Sequence, residues 1–136
     1  MTVLLVDDLP EVRELLHQTL LRVGDSLGIV LHIEKTASVA EARLACFRQR
    51  PHLILLDEVL PGEAAHDLLD DPLIEGVAVV LISASGERGL PLPLSSCGQV
   101  LGRLKKWSWS EIDQGSRALL ELLGTELRRS RARESF

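Results

Sequence analysis

Three aspartates, a serine and a lysine carry the chemistry this sequence offers. Asp7 and Asp8 close the apolar run VLLV, Asp57 closes LILL, Ser83 closes VAVVLI, and Lys105 follows the short apolar pair Val100 and Leu101. If these runs are strands of one sheet, their ends place three carboxylates together. Such a cluster repels itself unless something neutralises it. Hard oxygen ligands suit Mg²⁺, which keeps several waters and binds a few carboxylates together with phosphate oxygens. Lys105 would add a positive charge aimed at a phosphoryl oxygen, and Ser83 a hydroxyl donor. A carboxylate nucleophile, a divalent ion, a hydroxyl and an ammonium are the parts that form an aspartyl phosphate.

The elements that must position them are legible as alternating patterns. Residues 3–6 read as a buried strand. Residues 9–23 carry Val12, Leu15, Leu16, Thr19, Leu20 and Val23 at helical spacing, with Pro10 in the first turn and Gly24 as the stop. Residues 29–34 (IVLHIE) read as a second strand. Ser38 is the expected N-cap of a helix over residues 39–50, with Ala40, Leu44 and Phe47 on its inner face and Pro51 beyond its end. Residues 53–56 form the third strand, 63–70 a weaker helix, 77–83 the fourth strand, Val100 and Leu101 part of a fifth, and 110–129 the last helix. Strands this uniformly apolar are buried on both faces, so a parallel α/β sheet with helices on each side is expected. Ligands of such sheets collect at the carboxyl ends of the strands. Between Ser83 and Val100, Pro91, Pro93 and three glycines predict a loop or single turn where a fourth helix would otherwise fall.

Bulk composition narrows the function classes. The chain has 136 residues, the size of one domain, and 46% of them are hydrophobic, enough for a packed core. Aromatics are only 3% and the net charge is −5, which argues against stacking on bases or clamping phosphate backbones. No nucleic-acid partner is expected. There is no apolar stretch long enough to span a membrane and no signal-peptide pattern at the start, so a reducing, cytoplasmic location is expected. Cys46 and Cys97 have no metal spacing and read as small buried hydrophobes.

The stretches VLLVDDLPEVRELL, LILLDEVLPG, VVLISAS and LKKWSWSEI, in that order, resemble a response-regulator receiver domain, the phosphoacceptor module of two-component signalling. The resemblance covers about residues 2–125. It implies a doubly wound, five-stranded parallel sheet of flavodoxin-like type and a receiver domain over residues 1–125, followed by a basic tail at 126–136. It also implies a role for each site residue. Asp57 is the phosphoacceptor; Asp8 ligates Mg²⁺ directly, Asp7 through water or by orientation, and the Val59 backbone carbonyl is a further ligand. Ser83 contacts the phosphoryl group and Lys105 is the lysine of the pattern. Two adjacent lysines leave the alignment open by one residue. Lys105 is assigned because Lys105-Lys106-Trp107-Ser108 then overlies the family's Lys-Pro-Phe-Ser. Lys106 thus replaces a proline, and reads as a surface residue. Gly102 stands three residues before Lys105, where the family carries an aromatic that swings inward on activation.

The implied partners are a sensor histidine kinase or a phosphotransfer protein. With about ten residues beyond the last apolar face, a stand-alone receiver acting by partner binding or phosphotransfer is expected. A degenerate receiver serving as a phosphorylation-independent interaction module is the second reading. An enzyme is the third, and the sequence disfavours it: a phosphatase using an aspartyl phosphate needs an acid two residues after its nucleophile, where this chain has Val59. Glu58 reads as a rim charge. His17, His32, His52 and His66 share no metal spacing, and His52 reads as a turn residue. Trp107 and Trp109 are expected to pack the last helix. Arg128, Arg129, Arg131 and Arg133 are expected to form its solvated end.

Overall fold

The computed structural model describes residues 1–84, 92 and 96–134. The apolar runs become five parallel strands: β1 (Thr2–Val6), β2 (His32–Thr36), β3 (Leu53–Asp57), and, after a small antiparallel pair β4 (Val59–Leu60) and β5 (Glu63–Ala64), the strands β6 (Ala78–Ser83) and β7 (Gln99–Lys105). The large sheet runs β2-β1-β3-β6-β7. Helices α1 (Pro10–Leu27), α2 (Val39–Arg48), α3 (Ala65–Leu69) and α4 (Trp109–Glu134) flank it, with a 3₁₀ turn at Pro72–Ile74. The chain leaves β1 toward one edge, then returns to place β3 on the other side of β1. That reversal opens a crevice at the carboxyl ends of β1 and β3.

Continuous apolar strands are needed because both faces are covered. Val3, Leu5, Leu53, Leu55, Val80 and Ile82 point to one side, where α1 adds Val12, Leu16, Leu20 and Val23, and α4 adds Ile112, Leu120 and Leu123. Leu4, Val6, Ile54, Leu56, Val79 and Leu81 point to the other, against Ala42, Ala45 and Cys46 of α2 and Leu68 and Leu69 of α3. Period-2 alternation within each run thus sorts one strand into two cores.

Several sequence expectations shift in place. Gly24 does not end α1. The helix runs another turn to Leu27, and Gly28, at φ 69°, ends it in the left-handed conformation that glycine adopts without strain. Gly24 instead lets Ile29 approach: a Cβ there would meet the Ile29 carbonyl at 3.0 Å. The Ile29 amide donates to the Gly24 carbonyl, which delays β2 until His32. Ser38 caps α2 as expected, its side chain accepting the Glu41 amide. The buried face of α2, however, is Val39, Ala42, Ala45 and Cys46. Leu44 and Phe47 point outward, 64% and 79% exposed. Small residues let the helix backbone approach the sheet, and that outweighs the larger but bulkier apolar stripe. Cys46 is buried, with its thiol pushed up to about 11 by burial and by Asp71 and Glu34. Cys97 is only half-buried.

α4 continues through residue 126 without a break, so the basic end is helical as far as Glu134. Gly115 of α4 lets this helix press on β7: a Cβ there would lie 2.5 Å from Leu104 Cδ2. The expected loop between Ser83 and Val100 falls mainly on residues 85–91 and 93–95, outside the described residues. No helix among the described residues is long and apolar enough to cross a membrane.

The sorting of apolar side chains has a direct consequence. Leu55→Ala should cost about 2–5 kcal/mol in a urea melt, as a fully buried leucine does. Phe47→Ser should stay within about 0.5 kcal/mol, because its ring is already in water.

Candidate functional site

The ends of β1 and β3 bring the acidic residues together. Asp7 directly follows β1, its amide donating to the Thr36 carbonyl at 3.1 Å, and Asp57 is the last residue of β3. Both are buried, 1% and 2% exposed, while Asp8 is half-buried. One carboxylate oxygen from each of Asp7, Asp8 and Asp57 lies within 4.8 Å of the others. Local backbone geometry fixes two of these carboxylates. Asp7 Oδ1 accepts the Leu9 amide at 2.9 Å, at the entry to α1, and Asp57 Oδ1 accepts the Val59 amide at 3.0 Å. Arg13 donates to the Asp7 carbonyl at 2.7 Å, anchoring the same turn from the first turns of α1.

The lysine of the site is Lys106, not Lys105. Lys106 is 5% exposed, and its Nζ lies 3.0 Å from Asp57 Oδ2 and 3.1 Å from Asp7 Oδ2. Lys105 is exposed and pairs in register with Ser83. The cause is a β-bulge. Val79 pairs with Val100, but Val80 pairs with Gly102, so Leu101 is an extra residue in β7. Without it, every later residue of β7 would stand one place further along, and Lys105 would take the inward position. A bulge leaves no mark in apolar periodicity, so the sequence could narrow the lysine to a pair but not choose between its members. Three residues before Lys106 stands Arg103, not Gly102. Its guanidinium forms an ion pair with Glu58, so Glu58 is more than a rim charge. A Cβ on Gly102 would meet nothing within 4 Å.

Turn geometry holds Lys106 inward. Its amide donates to the Ser83 carbonyl at 2.8 Å, extending the β6–β7 ladder past Lys105. Trp107 then adopts φ 70°, a left-handed conformation that strains a bulky residue. Trp107 and Trp109 meet edge to face at 5.9 Å and stay 51% and 36% exposed, so they cover the helix less than expected. Ser83, the buried last residue of β6, stands one residue beyond Ile82, the register partner of Asp57. Its position is therefore at the mouth of the same crevice. Val59, the first residue of β4, is 74% exposed. His52 precedes β3, at the end opposite Asp57, and accepts the Thr2 amide on Nδ1 at 2.9 Å, a turn role as expected.

The electrostatics follow from burial. Burial pushes the Asp57 carboxyl above its usual range, and Asp7 adds to the shift; the Val59 amide and Lys106 oppose it without cancelling it. Burial alone would lower the Lys106 ammonium, but its bonds to Asp57 and Asp7 raise it above the usual lysine value, so it stays charged. Three carboxylates against one ammonium leave two uncompensated negative charges (−3 + 1 = −2), the charge that one divalent cation balances. Asp7 Oδ2 is buried and has no hydrogen-bond donor, its approach to Lys106 being an ion contact only. An oxygen of that kind is suited to a hard cation, so the residues present fit Mg²⁺.

Comparison with solved structures agrees with this picture of the fold. The chain aligns with the CheY-like receiver domain protein of Methanospirillum hungatei at TM-score 0.68 and 20% identity, covering 91% of this chain and 97% of that one. It aligns with the chemotaxis response regulator CheY4 of Vibrio cholerae at TM-score 0.65 and 16% identity, over 90% and 97%. Against NtrX of Brucella abortus the TM-score is 0.68 at 21% identity, covering 96% of this chain but 29% of the larger one. The chain has the fold of CheY-like response-regulator receiver domains, a five-stranded parallel sheet with helices on both faces. No protein-family model and no curated protein matches it by sequence.

Two measurements probe the cluster. Lys106→Met strands two buried carboxylates without their ammonium and should cost about 3–5 kcal/mol in chemical denaturation. Lys105→Met should stay within about 0.5 kcal/mol. Asp57→Asn should raise the melting temperature at neutral pH in chelator. The folded Asp57 carboxyl holds its proton more tightly than the unfolded one. Its contribution to stability therefore falls as pH rises through the window between the ordinary aspartate value and its raised one. The gain from asparagine should accordingly shrink as the pH is lowered through that window.

Proposed function

We propose that this chain is a phosphoacceptor receiver that takes a phosphoryl group on Asp57. The observation that carries the reading is the buried Lys106 ammonium bridging Asp7 and Asp57 at the carboxyl ends of β1 and β3, in a cluster still two negative charges in excess. Mg²⁺, held by Asp7, Asp8 and Asp57 with the Val59 carbonyl, would supply charge compensation for the incoming phosphoryl oxygens. Asp57 is anchored on one side by the Val59 amide and on the other by Lys106, so its carboxylate is oriented before a donor arrives. A carboxylate oxygen of Asp57 then bonds to phosphorus as the bond to the donor's leaving nitrogen breaks, and that nitrogen takes a proton from solvent. Lys106 stays close to the acyl phosphate formed and compensates its added charge. Ser83 offers its hydroxyl from the adjacent strand end. The donor is a sensor histidine kinase or a phosphotransfer protein, and the output runs through partner binding or onward phosphotransfer.

The second reading is a receiver-shaped interaction module that works without phosphorylation. It draws on Arg103, which is tied to Glu58 where an inward-swinging aromatic would stand.

Incubation with a small phosphodonor and Mg²⁺ separates the two. The expected result is one phosphoryl adduct, mapped to Asp57 by mass spectrometry, absent in Asp57→Asn and suppressed by chelator. Lys106→Met should slow its formation roughly 100-fold, the usual loss for one preorganised donor to developing charge. No adduct, under conditions that modify a control receiver, would overturn the phosphoacceptor reading.

A further inference from the structure

Helix α2 buries its small residues and turns its large ones outward. Ala40, Leu44 and Phe47, spaced i, i+4 and i+7, form one stripe along its solvent side, and all three are exposed. The chain has only four aromatic residues, two tryptophans and two phenylalanines. Phe47 is nonetheless the most exposed large apolar residue among those described. A single exposed leucine is ordinary, but a leucine and a phenylalanine side by side on one helix face make a patch for contact.

The charges beside the stripe say what fits it. Glu41 and Arg48, two helical turns apart, lie on one flank of the stripe, and Arg43 lies on the other. Arg43 is already neutralised by Asp71 at 2.8 Å. Along the first flank the sign changes, from acid near the start of α2 to base at its end. A second α2 laid antiparallel on the stripe reverses that order. The two-fold axis relating the copies is perpendicular to both helices and keeps each flank on its own side. Glu41 of each copy therefore meets Arg48 of the other, and Leu44 and Phe47 fill the centre. The two helix dipoles also oppose each other favourably. A parallel pair would set this flank against Arg43 instead. Both charged groups have capacity to spare. Glu41 accepts the Ala37 amide at 3.1 Å and the Ser38 hydroxyl at 3.3 Å through Oε2, and it has no cationic partner among the described residues. Arg48 reaches Glu34 at 2.6 Å through Nη2 alone, and its side chain is 67% exposed.

We propose that the outer face of α2 binds a second copy of this chain, through two antiparallel α2 helices with Leu44 and Phe47 at the centre and a Glu41–Arg48 pair at each end. The contact uses the same patch on both copies, so it closes at two. The patch is small, and interfaces below about 1,200 Å² in total are weak and reversible. The dimer does not depend on the phosphoacceptor reading, because α2 carries none of the residues of the crevice.

Sedimentation equilibrium of the full chain from about 1 μM to about 1 mM, in chelator and without phosphodonor, tests it. The wild type should pass reversibly from monomer to dimer. F47S should weaken the dimer about 30-fold or more, as loss of a central aromatic does, while circular dichroism shows the monomer still folded. E41R and R48E should each weaken it about tenfold, because either one sets like charges together at both ends. Mixed one to one, these two variants should recover wild-type affinity, since opposite charges then meet at both ends of the mixed dimer. If E41R unfolds for want of its cap, E41Q, which keeps an acceptor there, takes its place. Its mixture with R48E should associate more tightly than either variant alone. A wild type that stays monomeric over the whole range overturns the proposal and leaves the patch to some other partner. F47S dimerising as well as wild type overturns it too. A dimer whose charge variants associate no better mixed than alone overturns the antiparallel pairing.

Discussion

The ammonium of Lys106, lodged between Asp7 and Asp57, is the interaction on which the rest of this structure's chemistry depends. Two carboxylates buried at adjacent strand ends would otherwise repel each other in a medium that screens little. The lysine reaches them only because β7 lies in the same sheet and ends at the same level. The extra residue at Leu101 sets that level. Gly115 permits α4 to close on Leu104, two residues before Lys106. Backbone packing some distance from the crevice therefore decides which lysine serves it.

The same cluster is left short of positive charge. A sheet built this way is stable enough to fold with its acidic ends incompletely neutralised, because both faces of β1, β3 and β6 are sealed by apolar side chains. The charge deficit suits the crevice to a hard cation. Burial raises Asp57 and the Lys106 bond steadies it, so its carboxylate is oriented without being fully satisfied. Around this centre, the Arg103–Glu58 pair straps the strand that carries Ser83. Site and sheet are thus mechanically joined across β6.

Where sequence reasoning went astray, the failures share a cause. Gly24 looked like a stop because glycine often ends helices, yet its missing side chain admits Ile29 while Gly28 supplies the turn. Leu44 and Phe47 looked like a core face because they are large and apolar, yet close helix–sheet approach favoured Ala42, Ala45 and Cys46. Lys106 looked like a surface residue because laying Lys105-Lys106-Trp107-Ser108 over the family's Lys-Pro-Phe-Ser gave the site to Lys105. Each case needed knowledge of what lies across space from the residue, which spacing along the chain does not contain.

What the sequence determined by itself was the alternation of buried strands and amphipathic helices, hence the parallel sheet, and the acidic residues at its strand ends. Those follow from local rules: apolar run length, helical period and charges that stop a strand. Asp7, Asp8 and Asp57 were legible for that reason. Only the tertiary structure decided which lysine meets them, that Arg103 reaches Glu58 across β6, and which face of α2 is buried. These depend on register between strands distant in sequence, where one inserted residue reverses the direction of every side chain after it.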